Sequence, residues 1–297
     1  DRVVGRPGSF APDAKVVRLE IEPSQVNKNI AADVPLVGDI RQTLDRLLPL
    51  VQRAPRDAWF ERLRNLQHEH PSIDVPDADV ITPQYVLREL NKIVEHSADP
   101  IVVTGVGQHQ MWAAQFMFMP TANSFVSSGG LGVMGFEVPA AIGAQVGRPS
   151  ATIWAIAGDA GFQMTLQELA TITQEHLPVK IAIINNGYSG MVRQWQELFY
   201  DHHYKSVAIS GPDYVKLAEA YGIPALRVAD KADVGMALAK AAEYHGPFLI
   251  DFEVSPEENV YPMVPPGASL AETVEDPRVV HHRVPIHIGP EGLVSYP

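Results

Sequence analysis

The chain opens with strand-like alternation. Lys15 to Ile21 (KVVRLEI) switches between charged and β-branched positions, the pattern of a half-buried strand. A second short apolar run, Pro35 to Gly38, is followed by helical spacing from Asp39 to Val51, with Asp39 placed to cap the helix. Ala54 to Asp79 is rich in charge, Pro and His. Trp59 to Leu66 has the spacing of a helix, and Pro71 to Pro76 reads as a linker.

From Thr82 onward the pattern becomes regular. Thr82 caps a helix over Pro83–Ser97, with proline in its first turn. Strands are expected at Ile101–Thr104, Ala151–Ala157, Val179–Ile184, Ala225–Val228 and Pro247–Val254. Helices are expected at Met111–Phe116, Leu131–Val146, Met164–Glu175, Tyr214–Tyr221 and Lys231–Tyr244. The strands at Ala151–Ala157 and Val179–Ile184 are continuously apolar, as strands covered on both faces are. Alternation of such strands with helices predicts an α/β fold with a doubly wound, mainly parallel sheet, preceded by a fragment of a second α/β domain. The expected division is 1–55, a linker at 56–80, the main domain at 81–275, and an irregular tail at 276–297. There is no internal repeat or low-complexity run.

Composition narrows the function classes. The chain has 297 residues, of which 46% are hydrophobic, enough for a sizeable core. No run of about 18 apolar residues occurs, so no membrane span is expected. The first nine residues lack the apolar core of a secretion signal, so the protein is expected to be cytoplasmic, or organellar after loss of a targeting peptide, and not secreted. Cysteine is absent, which excludes disulfides and thiolate metal sites. With 23 basic against 35 acidic residues the net charge is −12, a poor balance for nucleic acid. An anionic cofactor is not excluded, because helix N-termini and a metal hold phosphate without a basic surface. The opening Asp1-Arg2-Val3-Val4-Gly5, without Met, reads as a strand or loop already under way.

The candidate chemistry lies at two strand ends. Gly158-Asp159-Ala160-Gly161 follows the strand ending at Ala157, and Asn185-Asn186 follows the strand ending at Ile184. One crossover helix joins these strands, so parallel pairing brings both clusters to the same sheet edge. A carboxylate and an amide oxygen there suit Mg²⁺, which shares its six oxygens with phosphates and water. Gly158 and Gly161 permit close backbone approach. Alone, each cluster is more readily the sequence of an ordinary capped turn.

Together, with 26 residues between Asp159 and Asn186, they resemble the GDG-to-NN signature of thiamin diphosphate enzymes. More specific stretches are Gly105–Gln115 (GVGQHQMWAAQ), Ser128–Gly132, Met134–Phe136, Phe162–Thr171, Gly190–Tyr200 (GMVRQWQELFY) and Pro256–Gly267. These resemble the large catalytic subunit of the acetohydroxyacid synthase family.

That resemblance implies Mg²⁺ ligation by Asp159, Asn186 and the Tyr188 carbonyl. It implies cofactor contacts from Gln108, His109, Gly158, Asp159, Ala160, Gly161 and Asn186. Met134 would prop thiamin diphosphate in its bent form, and the Gly132 carbonyl would accept from the aminopyrimidine. Met191 and Trp195, four apart on one helix face, would border the second-substrate pocket, and Arg2 would meet a substrate carboxylate. The implied reaction decarboxylates pyruvate and joins the two-carbon unit to a second 2-keto acid, pyruvate or 2-ketobutyrate, on the route to branched-chain amino acids.

The resemblance also implies partners. Residues 1–55 resemble the end of the middle domain, which holds FAD in a structural role. The pyrimidine-binding domain, with its essential glutamate, is expected on a second subunit or chain, and a regulatory small subunit is compatible with the family. The surface facing that domain is therefore expected to be apolar. Another thiamin diphosphate decarboxylase or carboligase, or a non-catalytic assembly subunit of this fold, would share the metal motif.

Three features depart from the pattern. Ala160 stands where the signature has glycine. Glu137-Val138 replaces the usual Gly-Leu of GFGLPAAIG, and a carboxylate there needs a partner or solvent. The tail from Pro277 lies outside the resemblance, and His281, His282 and His287 within it have a strand-like spacing mixed with Pro that disfavours a metal site.

Overall fold

The computed structural model describes residues 4–69, 75–119 and 121–278, with the backbone of 287–288 and 294–295. It divides into two compact units, one of residues 73–260 and the other of 1–72 with 261–297.

In the smaller unit, β1 (Val17–Glu20) and β2 (Val34–Val37) pair in parallel, with Leu19 opposite Leu36. The Asp39 carboxylate accepts from the Gln42 N–H at 3.0 Å and starts α1 (Ile40–Leu47). Helix α2 (Asp57–Glu69) extends the expected Trp59–Leu66 segment at both ends. None of the residues in these two strands and two helices is buried.

The larger unit is built on one six-stranded sheet, all parallel. Its strands are β3 (Pro100–Thr104), β4 (Phe125–Ser127), β5 (Thr152–Gly158), β6 (Lys180–Asn185), β7 (Ala225–Val228) and β8 (Phe248–Glu253). Their order is β4-β3-β5-β6-β8-β7. The helices are α3 (Pro83–Glu95), α4 (Gln108–Phe116), α5 (Glu137–Gly147), α6 (Asp159–Thr165), α7 (Leu169–Gln174), α8 (Gly190–Phe199), α9 (Tyr214–Ala220) and α10 (Val234–Glu243).

Strand periodicity sorts the core into two layers. Val102, Trp154, Ile156, Ala182, Ile184, Ile250 and Phe252 point to one face, against α3, α4 and α10. Ile101, Val103, Ile153, Ala155, Ile181, Ile183 and Leu249 point to the other, against α5, α6, α7 and α9. Alternation within a strand is thus invisible as polarity, because both faces are covered.

The chain passes from β3 outward to β4 and returns to β5 on the far side of β3. Successive connections therefore leave opposite faces of the sheet between β3 and β5, and a crevice opens beyond their carboxyl ends.

Two expected helices differ, and one strand was not expected. The helix expected over Leu131–Val146 begins only at Glu137, because Gly132 (φ 71°) and Gly135 (φ 78°) take left-handed conformations that hold the preceding segment as a loop. The helix expected at Met164–Glu175 begins earlier, at Asp159, and is interrupted by a 3₁₀ turn at Leu166–Glu168. Strand β4, three residues long, shows no alternation in the sequence and was not expected.

Ile156 is fully buried in the centre of the sheet. Ile156→Ala is expected to cost about 2–5 kcal/mol of stability, measured as a lowered urea midpoint.

Candidate functional site

The carboxyl ends of β3, β5 and β6 surround one cleft of about 360 Å³. Gln108 and His109 enter it from the start of α4. Gly158, Asp159, Ala160 and Gly161 come from the β5–α6 junction. Asn186, Tyr188 and Met191 come from the loop after β6 and the start of α8, and Gly132 and Met134 from the loop before α5. All eleven residues singled out at these positions line it.

Asp159 is 3% exposed and stands at the first turn of α6. Its Oδ1 accepts from the Ala160 N–H at 3.0 Å, and its Oδ2 from the Gly187 N–H at 2.9 Å. Asn186 Oδ1 accepts from the Tyr188 N–H at 3.1 Å. Carboxylate and amide are therefore tied to one loop, which is itself anchored. Ser189 N–H donates to the Val207 carbonyl at 2.8 Å, and Ile209 N–H to the Gly187 carbonyl at 3.0 Å. Burial pushes the Asp159 carboxyl up to about 6, with the two amide donors opposing it. A divalent cation beside such a carboxyl favours the ionised form.

The described residues contain no group of three or more His, Cys, Asp or Glu arranged to hold a metal. A cation in this cleft would draw on one carboxylate together with amide and main-chain oxygens. That donor set fits Mg²⁺ completed by phosphate and water.

Behind the loop that carries Asn186 lies a buried amide relay. Asn186 Nδ2 donates to Gln108 Oε1 at 3.2 Å, and Gln108 Nε2 donates to Gln194 Oε1 at 2.9 Å and to the Glu258 carbonyl at 3.1 Å. Gln194 Nε2 donates to the Val260 carbonyl at 3.1 Å, while the Val260 N–H donates back to Gln194 Oε1 at 2.8 Å. The relay explains Gly190. A Cβ there would lie 2.9 Å from both Gln108 Cδ and Asn186 Nδ2. Gln194 escaped the sequence analysis. Its signal was a polar residue embedded within GMVRQWQELFY.

His109 packs its ring against glycine backbone. A Cβ at Gly158 would sit 2.8 Å from its Nδ1, and one at Gly107 would sit 3.1 Å away. Its Nε2 is buried with no hydrogen-bonding partner among the described residues.

Trp195 does not line this cleft. It lies in a neighbouring groove of about 760 Å³ with Gln196, Phe199, Tyr200 and His203. Met191 and Val192 line both cavities. Arg193 is buried beneath them, donating to Glu197 at 2.9 Å and Glu257 at 2.8 Å, with its guanidinium 5.2 Å from the centre of the Tyr188 ring. Arg2, Asp1, His281 and His282 lie outside the described residues, as does the side chain of His287. The rim carries exposed apolar side chains: Leu131 is 92% exposed, Met164 54%, Val192 52% and Val133 48%.

Residues 105–252 match the family described as thiamine pyrophosphate enzyme, C-terminal TPP binding domain, and residues 1–47 match the thiamine pyrophosphate enzyme central domain. The chain is 44% identical over 285 residues to the acetolactate synthase of Mycobacterium leprae, covering 92% of this chain and 45% of that protein. It is 43% identical over 284 residues to the acetolactate synthase large subunit of Corynebacterium glutamicum, covering 92% and 45%. It is 42% identical over 282 residues to that of Pyropia yezoensis, covering 92% and 47%. The chain thus spans about half the length of the relatives it matches.

Burial alone pushes the His109 imidazole down to about 4 from an ordinary 6.5. The unfolded chain then binds a proton that the folded chain refuses. Stability from this residue is fully present above pH 6.5 and is lost as the pH falls through about 4. Urea unfolding from pH 7 to 4 should show His109→Asn losing less stability than the parent, by roughly 2–3 kcal/mol.

Proposed function

The chain is a homologue of the acetolactate synthase large subunit, within the thiamine pyrophosphate enzymes, and on that premise we propose that its cleft holds Mg²⁺-thiamin diphosphate for carboligation of 2-keto acids. The observation carrying this reading is the tying of Asp159 and Asn186 to one anchored loop at adjacent parallel strand ends. Pyruvate is the donor in this reading, with pyruvate or 2-ketobutyrate as acceptor.

Asp159 and Asn186 present hard oxygens to the cation, and the Tyr188 carbonyl completes the protein's share. Gly158 and Gly161 keep the backbone at the first turn of α6 accessible, where it would hold the diphosphate. Gln108 is held by Asn186 and Gln194, so its amide is fixed before any ligand arrives. Met134, lining the cleft, would prop the cofactor with an apolar, adaptable side chain. The Gly132 carbonyl would hold the aminopyrimidine of thiamin diphosphate by accepting its N–H. When bound, thiamin diphosphate supplies the nucleophilic carbon and the electron sink for decarboxylation. FAD belongs to the same reading, as a structural group of the central-domain portion.

The Trp195 groove is the acceptor subsite in this reading. Its apolar wall favours an acceptor with one more methyl group by only about 1–3 kcal/mol. A partner chain bearing a pyrimidine-binding domain covers the open, apolar rim formed by Leu131, Val133, Met164 and Val192. Burial of that rim, together with a carboxylate from the partner, completes the site.

Asp159→Ala and Asn186→Ala should each weaken Mg²⁺-dependent thiamin diphosphate binding about 100-fold, read from quenching of tryptophan fluorescence. With a partner chain carrying the pyrimidine-binding domain, pyruvate should yield acetolactate. Acetaldehyde or acetyl phosphate as the product would assign a different thiamin diphosphate reaction. Binding unchanged in both variants would overturn the metal reading.

A further inference from the structure

Glu137 is fully buried at the first turn of α5, and neither carboxyl oxygen has a hydrogen-bonding partner among the described residues. Its carboxyl is wedged between two segments of the cleft wall. A Cβ on Gly105, just beyond β3, would lie 2.6 Å from its Cδ, and a Cβ on Gly161, in the first turn of α6, would lie 2.8 Å from its Oε1. Neither glycine has a left-handed φ, so the backbone itself does not demand glycine at either position. The space taken by the Glu137 carboxyl does.

The surroundings give an ionised carboxylate nothing to pair with. Helix α5 packs on β3, β5, α6, α7 and the 3₁₀ turn at Leu166–Glu168. Strands β3 and β5 and helix α7 carry no ionisable side chain, α6 carries only Asp159, and the turn carries only Glu168. Every charged group on these elements is acidic. An unpaired buried charge is strongly disfavoured, and such a carboxyl takes up a proton instead.

We propose that Glu137 is a positioning residue, a neutral-acid wedge that sets the spacing of the Gly105 and Gly161 backbone segments from behind and loosens their grip on an anionic ligand when it ionises. The inference rests on the reading of this cleft as a diphosphate cradle. Burial pushes the Glu137 carboxyl up from 4.5 to about 7. The folded chain therefore keeps a proton that the unfolded chain has released. Stability from this residue is fully present below pH 4.5 and is lost as the pH rises through about 7.

The test has two arms on the whole chain. Without cofactor, urea unfolding followed by tryptophan fluorescence from pH 5 to 8.5 should show the parent losing stability relative to Glu137→Gln. Gly105→Ala should destabilise the parent yet be tolerated in a Glu137→Gly background. Parallel pH profiles for parent and Glu137→Gln, or an equal effect of Gly105→Ala in both backgrounds, would overturn the wedge. In the second arm, Mg²⁺-thiamin diphosphate is titrated at pH 6 and 8.5. At pH 8.5 the parent should bind about tenfold more weakly than Glu137→Gln, with the gap closing toward pH 6. Titration of Asp159 is common to both proteins and cancels in the ratio. The same ratio at both pH values would overturn the positioning role. No binding by either protein would overturn the cofactor reading and the positioning role together, while the first arm still decides the wedge.

Discussion

A parallel sheet covered on both faces concentrates its polar chemistry at its ends, and a buried acid within a strand, such as Asp251 of β8, has to be paired there with Asn185 and Arg227. Each interior position of β5 and β6 is committed to one apolar layer or the other. The carboxyl edge is the first place where a side chain can be polar without being buried among hydrocarbon. Because β3, β5 and β6 run the same way, their three exits open together. Asp159, Asn186 and Gln108 are neighbours for that reason, although 51 positions separate Gln108 from Asp159. The order of the strands does the rest, since the chain reverses direction between β3 and β5 and leaves that edge uncovered.

The cleft is rigid where it matters because its polar atoms are already engaged. Asp159 and Asn186 each hold a backbone amide of the loop that follows β6, and that loop is fastened to 207–209. Gln108 is fixed between two other amides. A ligand arriving there meets oriented groups and does not have to order them, which reduces the entropy lost on binding. Glycine is what lets these groups approach so closely. At Gly190, Gly158 and Gly105 the neighbouring atoms are the Gln108 amide, the His109 ring and the Glu137 carboxyl. Every one of those glycines faces a polar side chain, so the small residues and the large polar ones form one packing problem.

Much of this was legible beforehand, for identifiable reasons. Long apolar strands and capped helices announce themselves, as with Thr82 before α3, and the pairing of two strand-end motifs followed from their spacing. Strand β4 was not legible, because three residues carry no period. The late start of α5 was hidden as well. The run from Leu131 is rich in Gly and Ala, a composition shared by close-packed helices and by glycine-hinged loops, and only the left-handed Gly132 and Gly135 decide between them. Gln194 and the burial of Glu137 were hidden for a different reason. Both depend on what a distant segment brings against them, which a local pattern does not encode. The residues of the cleft came together as a group, whereas Trp195 separated into its own groove because it lies one turn further along α8.

Helix α8 is a party wall. Its first turn, at Met191 and Val192, faces both cavities, and its last turn, at Phe199 and Tyr200, faces only the outer one. The helix is therefore graded along its axis. Near its end, side chains can be exchanged with the inner cleft's lining left intact, so the shape of the outer groove can drift there independently of the inner cleft. Near its start, any change of size or shape is felt on both sides at once. Variation among related chains should accordingly be freer toward Tyr200 than toward Met191, and a redesign that widens the outer groove has its open end there.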